Sequence, residues 1–285
     1  MKTLRDKVVV ITGAGSGIGR ALAILAASKG AKLALSDWNE EGLRETERRV
    51  NASGASRASV GLARRVDVRS EEETKSFAEE VARTLGGADV IVNNAGVAVS
   101  DTIGSMKRSD FEWLFDINFW GVVRGTEAFL PQLLTKDDAH VVNVSSIFGI
   151  IAVPSQSAYN ASKFAVRGYT EALRQELDGT RVHVTCVHPG GVKTNIVANG
   201  RHHRNARGEP TGTDALAKEF AKVAMTTPES AAKTILGAVL SNAPRVLVGA
   251  DAQMMDFVQR MFPSHYPSIF KAAQSLIARA TGLRL

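Results

Sequence analysis

Short apolar runs and amphipathic stretches alternate along the chain from its first residues. Residues 7–12 contain Val8-Val-Val-Ile11, apolar at successive positions as a strand buried on both faces requires. Residues 18–29 then show helical periodicity, with Gly30 placed to close the helix. The alternation continues. Strands are predicted at 32–36, 63–68, 89–93, 140–145, 181–187 and 245–248. Helices are predicted at 40–52, 71–85, 110–134 and 157–177, with Ser70 and Glu73 forming a capping box for the second of these. Such a pattern predicts parallel βαβ units. The fold class is α/β: a single Rossmann-type doubly wound parallel sheet of about seven strands with helices on both faces. Residues 1–250 are read as this one domain and 251–285 as a helical extension of it. Phe257, Val258, Met261, Phe262, Ile269, Phe270, Ala273, Leu276 and Ile277 repeat at helical spacing there, and Pro263 and Pro267 are expected to divide the stretch into two helices. The stretch 190–212 is irregular and long enough to predict a functional loop that closes over a cleft.

Composition narrows the class. With 285 residues, 44% hydrophobic and 22% charged, the chain can bury a sizeable core and is not disordered. The net charge of +6 comes from 35 basic residues interspersed with 29 acidic ones, which predicts a solvated basic surface and no nucleic-acid partner. The single cysteine, Cys186, lies in an apolar run and reads as a buried packing residue of a protein from a reducing compartment. No apolar run reaches 18 residues and no leader precedes the first strand, so a cytoplasmic protein without membrane contact is expected. No Cys/His cluster has zinc spacing, and no metal is expected. The pair His202-His203, flanked by Arg201 and Arg204, is read as a solvated stretch of loop.

The segment from Thr12 to Gly19 reads TGAGSGIG and joins the first strand to the first helix. Glycines allow a tight turn and close approach of backbone amides to a phosphate, and the helix N-terminus faces it with partial positive charge. Asp37 follows 18 residues after Gly19, at the end of the second strand. A carboxylate there accepts hydrogen bonds from the adenosine ribose of NAD and repels the 2′-phosphate of NADP. Farther along, Tyr159 and Lys163 stand at i, i+4 and share one helix face. An ammonium near a phenol favours the phenolate, so the tyrosine can serve as an acid/base near neutral pH. Taken alone the pair would be an ordinary helix face.

With Asn93-Asn-Ala-Gly96, Asn118, Ser146 thirteen residues before Tyr159, and His188-Pro-Gly-Gly-Val-Lys-Thr194, the motifs fall in one order, and the chain resembles the classical branch of the short-chain dehydrogenase/reductase family. The resemblance spans residues 7 to about 195. It implies a nicotinamide-dependent oxidoreductase acting on CH–OH groups. The implied catalytic residues are Asn118, Ser146, Tyr159 and Lys163: Ser146 orients the substrate oxygen, Tyr159 moves its proton, Lys163 lowers the phenol pKa, and Asn118 holds a water against the lysine. Implied cofactor contacts are Gly13, Ser16, Gly17, Ile18, Gly19, Asp37, Asp67, Val68, Asn94, Ala95, Gly96, Tyr159, Lys163, Pro189, Gly190, Val192 and Thr194. The second glycine of Pro-Gly-Gly-Val departs from the pattern and is expected to loosen the nicotinamide loop.

Beside Ser146 and Tyr159, Phe148 and Val153 are assigned to the substrate wall, extended by Val97, Val99, Ile150 and Val192. Apolar residues without a clamping cation predict a bulky, apolar secondary alcohol or ketone with NAD as cofactor, NADP being disfavoured. Trp113, Phe115, Phe119 and Trp120 crowd a helix that the resemblance places at a subunit contact, so a homodimer or homotetramer is expected. Two other functions fit the motifs less well. An NADPH-dependent ketone or acyl-carrier reductase is opposed by Asp37. A non-catalytic NAD-sensing protein is opposed by the presence of both Tyr159 and Lys163.

Overall fold

Every residue of β1 (Val8–Thr12) is buried, because strands flank it on both edges and helices cover both faces. A computed structural model of the chain describes residues 1–53 and 60–281. From β1 the chain passes through α1 (Gly17–Ser28), β2 (Lys32–Asp37), α2 (Glu40–Ala52), β3 (Val60–Arg65), α3 (Glu71–Leu85) and β4 (Val90–Asn93). A two-residue strand β5 (Val99–Ser100) leads to α4 (Arg108–Phe115), a π-helical turn at Asp116–Trp120, and α5 (Gly121–Leu133). Next come β6 (Ala139–Val144), a 3₁₀ turn at Ile147–Gly149, α6 (Ser157–Glu176) and β7 (Val182–Pro189). The remaining elements are β8 (Arg201–His202), α7 (Thr213–Val223), α8 (Pro228–Ser241), β9 (Arg245–Val248), α9 (Ala250–Met261) and α10 (Tyr266–Thr281).

Seven strands form one parallel sheet in the order β3-β2-β1-β4-β6-β7-β9. Successive strand residues face opposite sides, so the core forms two layers. Val9, Ile11, Leu33 and Val92 pack with Leu22 of α1 and Ile235 of α8 on one face. Val10, Ile91 and Val141 pack with Phe77 of α3, Phe129 of α5 and Leu173 of α6 on the other. The chain leaves β1 toward β2 and later returns to its opposite edge with β4. The strand order therefore reverses at β1/β4, and a crevice opens at the carboxyl ends of the strands there.

The structure corrects several expectations. The third strand lies at Val60–Arg65, not 63–68: its pairing with β2 ends at Asp37 opposite Arg65, and Asp67 and Val68 fall in the turn beyond. The predicted helix 110–134 is interrupted by the wide π turn that carries Asn118. Helices α7 and α8 and the β5–β8 pair had no predicted counterpart. Pro267 sits in the first turn of α10, where a missing N–H costs nothing, so Pro263 alone separates the last two helices. Of the apolar stripe, Phe257, Met261 and Phe262 are exposed, while Phe270 packs on the Ile147–Ile151 cluster. Leu276 and Ile277 lie outside the residues whose side chains are described.

Candidate active site

The residues implied by the motifs gather at the carboxyl ends of β1, β4, β6 and β7. At the first crossover, the carbonyls of Thr12 and Gly13 accept from Asn94 Nδ2 at 2.9 and 3.1 Å, and Thr12 Oγ1 accepts from the amides of Asn94 and Ala95. The glycine loop is thereby fixed to the end of β4. Ser16 is the N-cap of α1 but makes no side-chain cap, and no acidic residue occupies the first turn, so the early amides of α1 have no competing side-chain acceptor. Gly17 has φ +51°, and a Cβ there would lie 2.9 Å from Thr194 Cγ2. The glycine loop and the loop after β7 thus approach each other across the crevice, with Ile18 and Gly19 continuing into α1. Asp37 Oδ2 accepts from Gly15 N at 2.7 Å, and its Oδ1 accepts from Asn39 N at 2.8 Å. Burial pushes this carboxyl up, opposed by the backbone amides of Asn39, Gly15 and Trp38 and by the charge of Arg20. These residues suit a dinucleotide: uncapped helix amides for its phosphates, and a carboxylate with acceptor capacity left for a ribose.

In the turn beyond β3 the picture is less uniform. The Asp67 carboxylate is paired with Arg69, at 2.6 Å for the shortest contact. Burial pushes this carboxyl up, but the hydrogen bonds and charge of Arg69 outweigh it and hold the group below the usual range. Glu73 reaches the amide of Asp67 at 2.9 Å rather than that of Ser70, so only the Ser70 half of the expected capping box forms.

Ser146 and Lys163 are buried, and Tyr159 is half-buried beside them. Ser146 accepts from Phe148 N at 3.1 Å through Oγ, which leaves its O–H for another oxygen, and its hydroxyl lies near enough to the Tyr159 phenol to favour the phenolate. Lys163 is 3% exposed, and its Nζ donates to the carbonyl of Val144 at 3.0 Å and lies 5.6 Å from the centre of the Tyr159 ring. Burial lowers Lys163 to about 8, with Cys186 opposing. Burial also raises Tyr159 to about 12, and only the Ser146 hydrogen bond opposes it. Burial is the larger influence on the phenol, and Ser146 is the group that opposes it. Asn118 is fully buried. Its carboxamide accepts from Val97 N at 2.8 Å and donates to Val97 O at 3.0 Å, which fixes the chain just after Gly96. A Cβ at position 96 would lie 3.2 Å from Asn118 Oδ1 and 3.5 Å from Lys163 Nζ, so both side chains converge on this glycine.

The loop after β7 is held more firmly than its second glycine suggested. Gly191 N donates to Asp251 Oδ2 at 2.6 Å, and a Cβ on Gly190 would collide with the same carboxylate. Thr226 bridges the main chain on either side of Val192, receiving from Lys193 N and donating to Gly191 O. In a parallel bridge this directs the N–H and C=O of Val192 away from Thr226. Pro189 ends β7 and is buried. Asp251, in the first turn of α9, gave no sequence signal, because a helix-start acid is common.

The substrate wall is smaller than expected. Phe148 and Val153 are half-buried, and Phe148 meets the Tyr159 ring edge-on at 6.2 Å. Val97 packs in the same cluster as Tyr159, with Phe111 and Trp113. Ile150, Val192 and Val99 are instead committed to the core at 3%, 3% and 0% exposure. A cavity of about 320 Å³ lies between the chain at Lys193–Ala198 and the Ala217, Phe220 and Ala221 side of α7. The stretch around Arg201 is not a solvated loop. His202 is buried between Ser100 Oγ and Val197 O, at 2.9 and 2.8 Å. Arg201 Nη1 and His203 Nε2 reach the buried Asp110 at 2.8 and 2.9 Å, and the Arg201 guanidinium stacks 3.8 Å over the Trp113 ring.

Residues 7–205 match the family model described as short chain dehydrogenase. The chain belongs to the short-chain dehydrogenase/reductase family. It is 47% identical over 276 residues to a Mycobacterium tuberculosis protein that carries the name oxidoreductase SadH, covering 95% of this chain and 96% of that one. Among solved structures, it is similar to a family member from Burkholderia phymatum in complex with NAD, with TM-score 0.82, 29% identity and coverage of 92% and 95%. It is also similar to levodione reductase, with TM-score 0.77, 28% identity and coverage of 88% and 99%. The protein is thus an oxidoreductase with the family's Rossmann-type sheet, and a nicotinamide dinucleotide is the cofactor its relatives support. No helix among the described residues is long and apolar enough to cross a membrane.

Proposed function

We propose that this short-chain dehydrogenase/reductase interconverts an apolar secondary alcohol and its ketone with NAD, Tyr159 acting as acid/base and Ser146 orienting the substrate oxygen. The observation that carries the reading is the convergence on the Tyr159 ring of Lys163 Nζ, 5.6 Å from its centre, and Phe148, edge-on at 6.2 Å, with the Ser146 hydroxyl near enough to favour the phenolate. When bound, the nicotinamide supplies or accepts the hydride. The Ser146 hydroxyl, already accepting from Phe148 N, turns its proton to the substrate oxygen. Tyr159 Oη gives its proton to that oxygen during reduction and takes it back during oxidation. Lys163, 5.6 Å from the centre of the Tyr159 ring, converges with Asn118 on Gly96. A phenol raised to about 12 keeps its proton at neutral pH, which suits ketone reduction, whereas oxidation should quicken as the pH rises.

The Asp37 carboxylate favours NAD over NADP. An uncharged substrate is favoured because Arg201 is committed to Asp110 and Trp113, and Arg204 to the carbonyl of Gly208. Nicotinamide absorbance followed over a panel of secondary alcohols and ketones tests the reading. Turnover should rise along an alicyclic or long-chain series, and Tyr159→Phe should reduce it by roughly 10²-fold or more. A preference for charged substrates, or near-normal turnover in Tyr159→Phe, refutes it.

A further inference from the structure

The β6–β7 ladder cannot continue past the amide of Ser145, which donates to Val187 O at 2.8 Å, because position 189 is proline and has no N–H. Beyond that bond the two chain segments diverge. Ser146 enters the 3₁₀ turn toward Phe148, and Pro189-Gly190 enters the loop held by Asp251. One side chain still links them. His188 is fully buried, and its Nδ1 lies 2.9 Å from the main-chain carbonyl of Ser146. That carbonyl, which also accepts from Gly149 N at 2.9 Å, has no proton to give, so Nδ1 of His188 must carry it. Nε2 is then the bare nitrogen, and it is buried with no hydrogen-bond partner among the described residues. The hydrogen bond at one ring nitrogen sets the tautomer and so the state of the other.

We propose that His188 is a positioning residue for the reaction: its Nδ1–H fixes the backbone of Ser146 to the strand that continues directly into the Pro189-Gly190 loop. Through this bond, one residue beyond the Ser145 N–Val187 O bond, the group that orients the substrate oxygen and the loop assigned to the nicotinamide keep a common register. His188 touches neither substrate nor cofactor in this role. The proposal rests on the dehydrogenase reading above for its functional part, whereas the tether itself does not. Burial pushes His188 down to about 4, and the Ser146 carbonyl pulls the other way. Arg245 of β9 and Arg167 of α6 add to the lowering, and Asp256 of α9 opposes it. The ring is therefore neutral through the working range, and the tether does not switch with pH.

Two measurements test this. In ¹⁵N-histidine NMR of the wild-type full chain, His188 should show the Nδ1–H tautomer and no titration between pH 5 and 8. An Nε2–H tautomer, or a midpoint near 6.5, overturns the tether. In steady-state kinetics, His188→Leu should lower kcat by roughly 10–100-fold, the range expected for a small misplacement of reacting groups, with NAD affinity nearly unchanged. His188→Asn presents an amide N–H close to the Nδ1 position and should recover most of kcat. Equal kcat in the Leu and Asn variants, or a loss confined to KM, overturns the positioning role. If the wild type turns over no alcohol or ketone, the dehydrogenase reading fails, and the NMR result alone decides the tether.

Discussion

Asp110 is the residue whose removal should most loosen the chain that returns through β8. Its side chain, on α4, is 7% exposed and receives Arg201 at 2.8 Å and His203 at 2.9 Å from the strand β8 and the residue after it. β8 pairs with β5, and His203 N and Arg204 N also reach the carbonyl of Ser100, so this carboxylate pins the returning loop to the chain that follows Gly96. Unit charges 4 Å apart interact by about 4 kcal/mol at an effective dielectric constant near 20. Arg201 is 44% exposed, so screening and side-chain entropy reduce that to a net coupling of about 1–2 kcal/mol. A cycle of Asp110→Asn, Arg201→Met and the double variant, read by thermal and urea unfolding, measures the pair apart from the stacking of Arg201 on Trp113. Each kcal/mol should move Tm by about 2–4 °C. Burial pushes the Asp110 carboxyl up, but the hydrogen bonds and charges of Arg201 and His203 outweigh it, so its folded pKa is depressed. A depressed carboxylate contributes stability above its unfolded pKa of about 3.9 and loses it as the pH falls through the folded value, so the coupling should persist at pH 5 and fade only below about pH 4. A coupling under about 0.3 kcal/mol would mean that the loop is held by its backbone pairing alone.

Three further outcomes are expected. Asp37→Ala should narrow the preference for NAD over NADP in titrations of the apo protein, each tenfold change corresponding to about 1.4 kcal/mol, and equal affinities in the wild type would refute the assignment. Asp251→Ala removes a charge-assisted bond to Gly191 N and should cost about 1.5–3 kcal/mol of stability by urea unfolding while weakening NAD binding; unchanged affinity would separate this anchor from the cofactor. Light scattering should find a dimer or tetramer, since Trp120 at 50% and Phe164 at 41% exposure leave aromatic surface on α6 and the π turn; a monomer at micromolar concentration refutes it.

Period and punctuation made most of the sheet legible. β1, α2, α3 and β9 fall within a residue of their predicted bounds: Asn39 and Ser53 bracket α2, Ser70 and Gly86 bracket α3, and Gly13 and Gly249 follow the apolar runs of β1 and β9. β3 slipped because Val66 and Val68 mimic a strand continuation, whereas its half-exposed residues pair with β2 three residues earlier. α8 carried a readable signal that went unused: Thr227 caps it through Ser230 N, Pro228 stands in its first turn, and Ala231, Ile235 and Val239 recur at helical spacing. The buried contacts at the site were not legible. Nothing in a linear pattern tells that His188 reaches back 42 residues to a carbonyl, or that Asp110 meets a loop 91 residues away. Arg201 and His203 read as solvated residues because their partner, Asp110, is distant in sequence.

Lys163 carries a cost that should be measurable apart from activity. Among the described residues its ammonium is buried with a carbonyl and no carboxylate as partner, and its pKa falls from 10.5 to about 8. A depressed cation pKa destabilises the fold while the group is charged in both states, by about 3 kcal/mol below pH 8. Between about 8 and 10.5 the folded lysine has lost its proton and the unfolded one has not, so stability should rise with pH across that window. Above it both are neutral and the penalty is gone. Lys163→Met fills similar space without the charge. It also leaves the Val144 carbonyl without this donor, which offsets the gain by about 1–3 kcal/mol. The pH dependence is therefore the decisive quantity. The stability of Lys163→Met relative to wild type, from urea unfolding at a series of pH values, should fall by about 3 kcal/mol between pH 7 and 10.5 while turnover stays low throughout. A difference that does not vary with pH would mean that the lysine is solvated or paired in solution, and that the geometry around Tyr159 opens more than the structure describes.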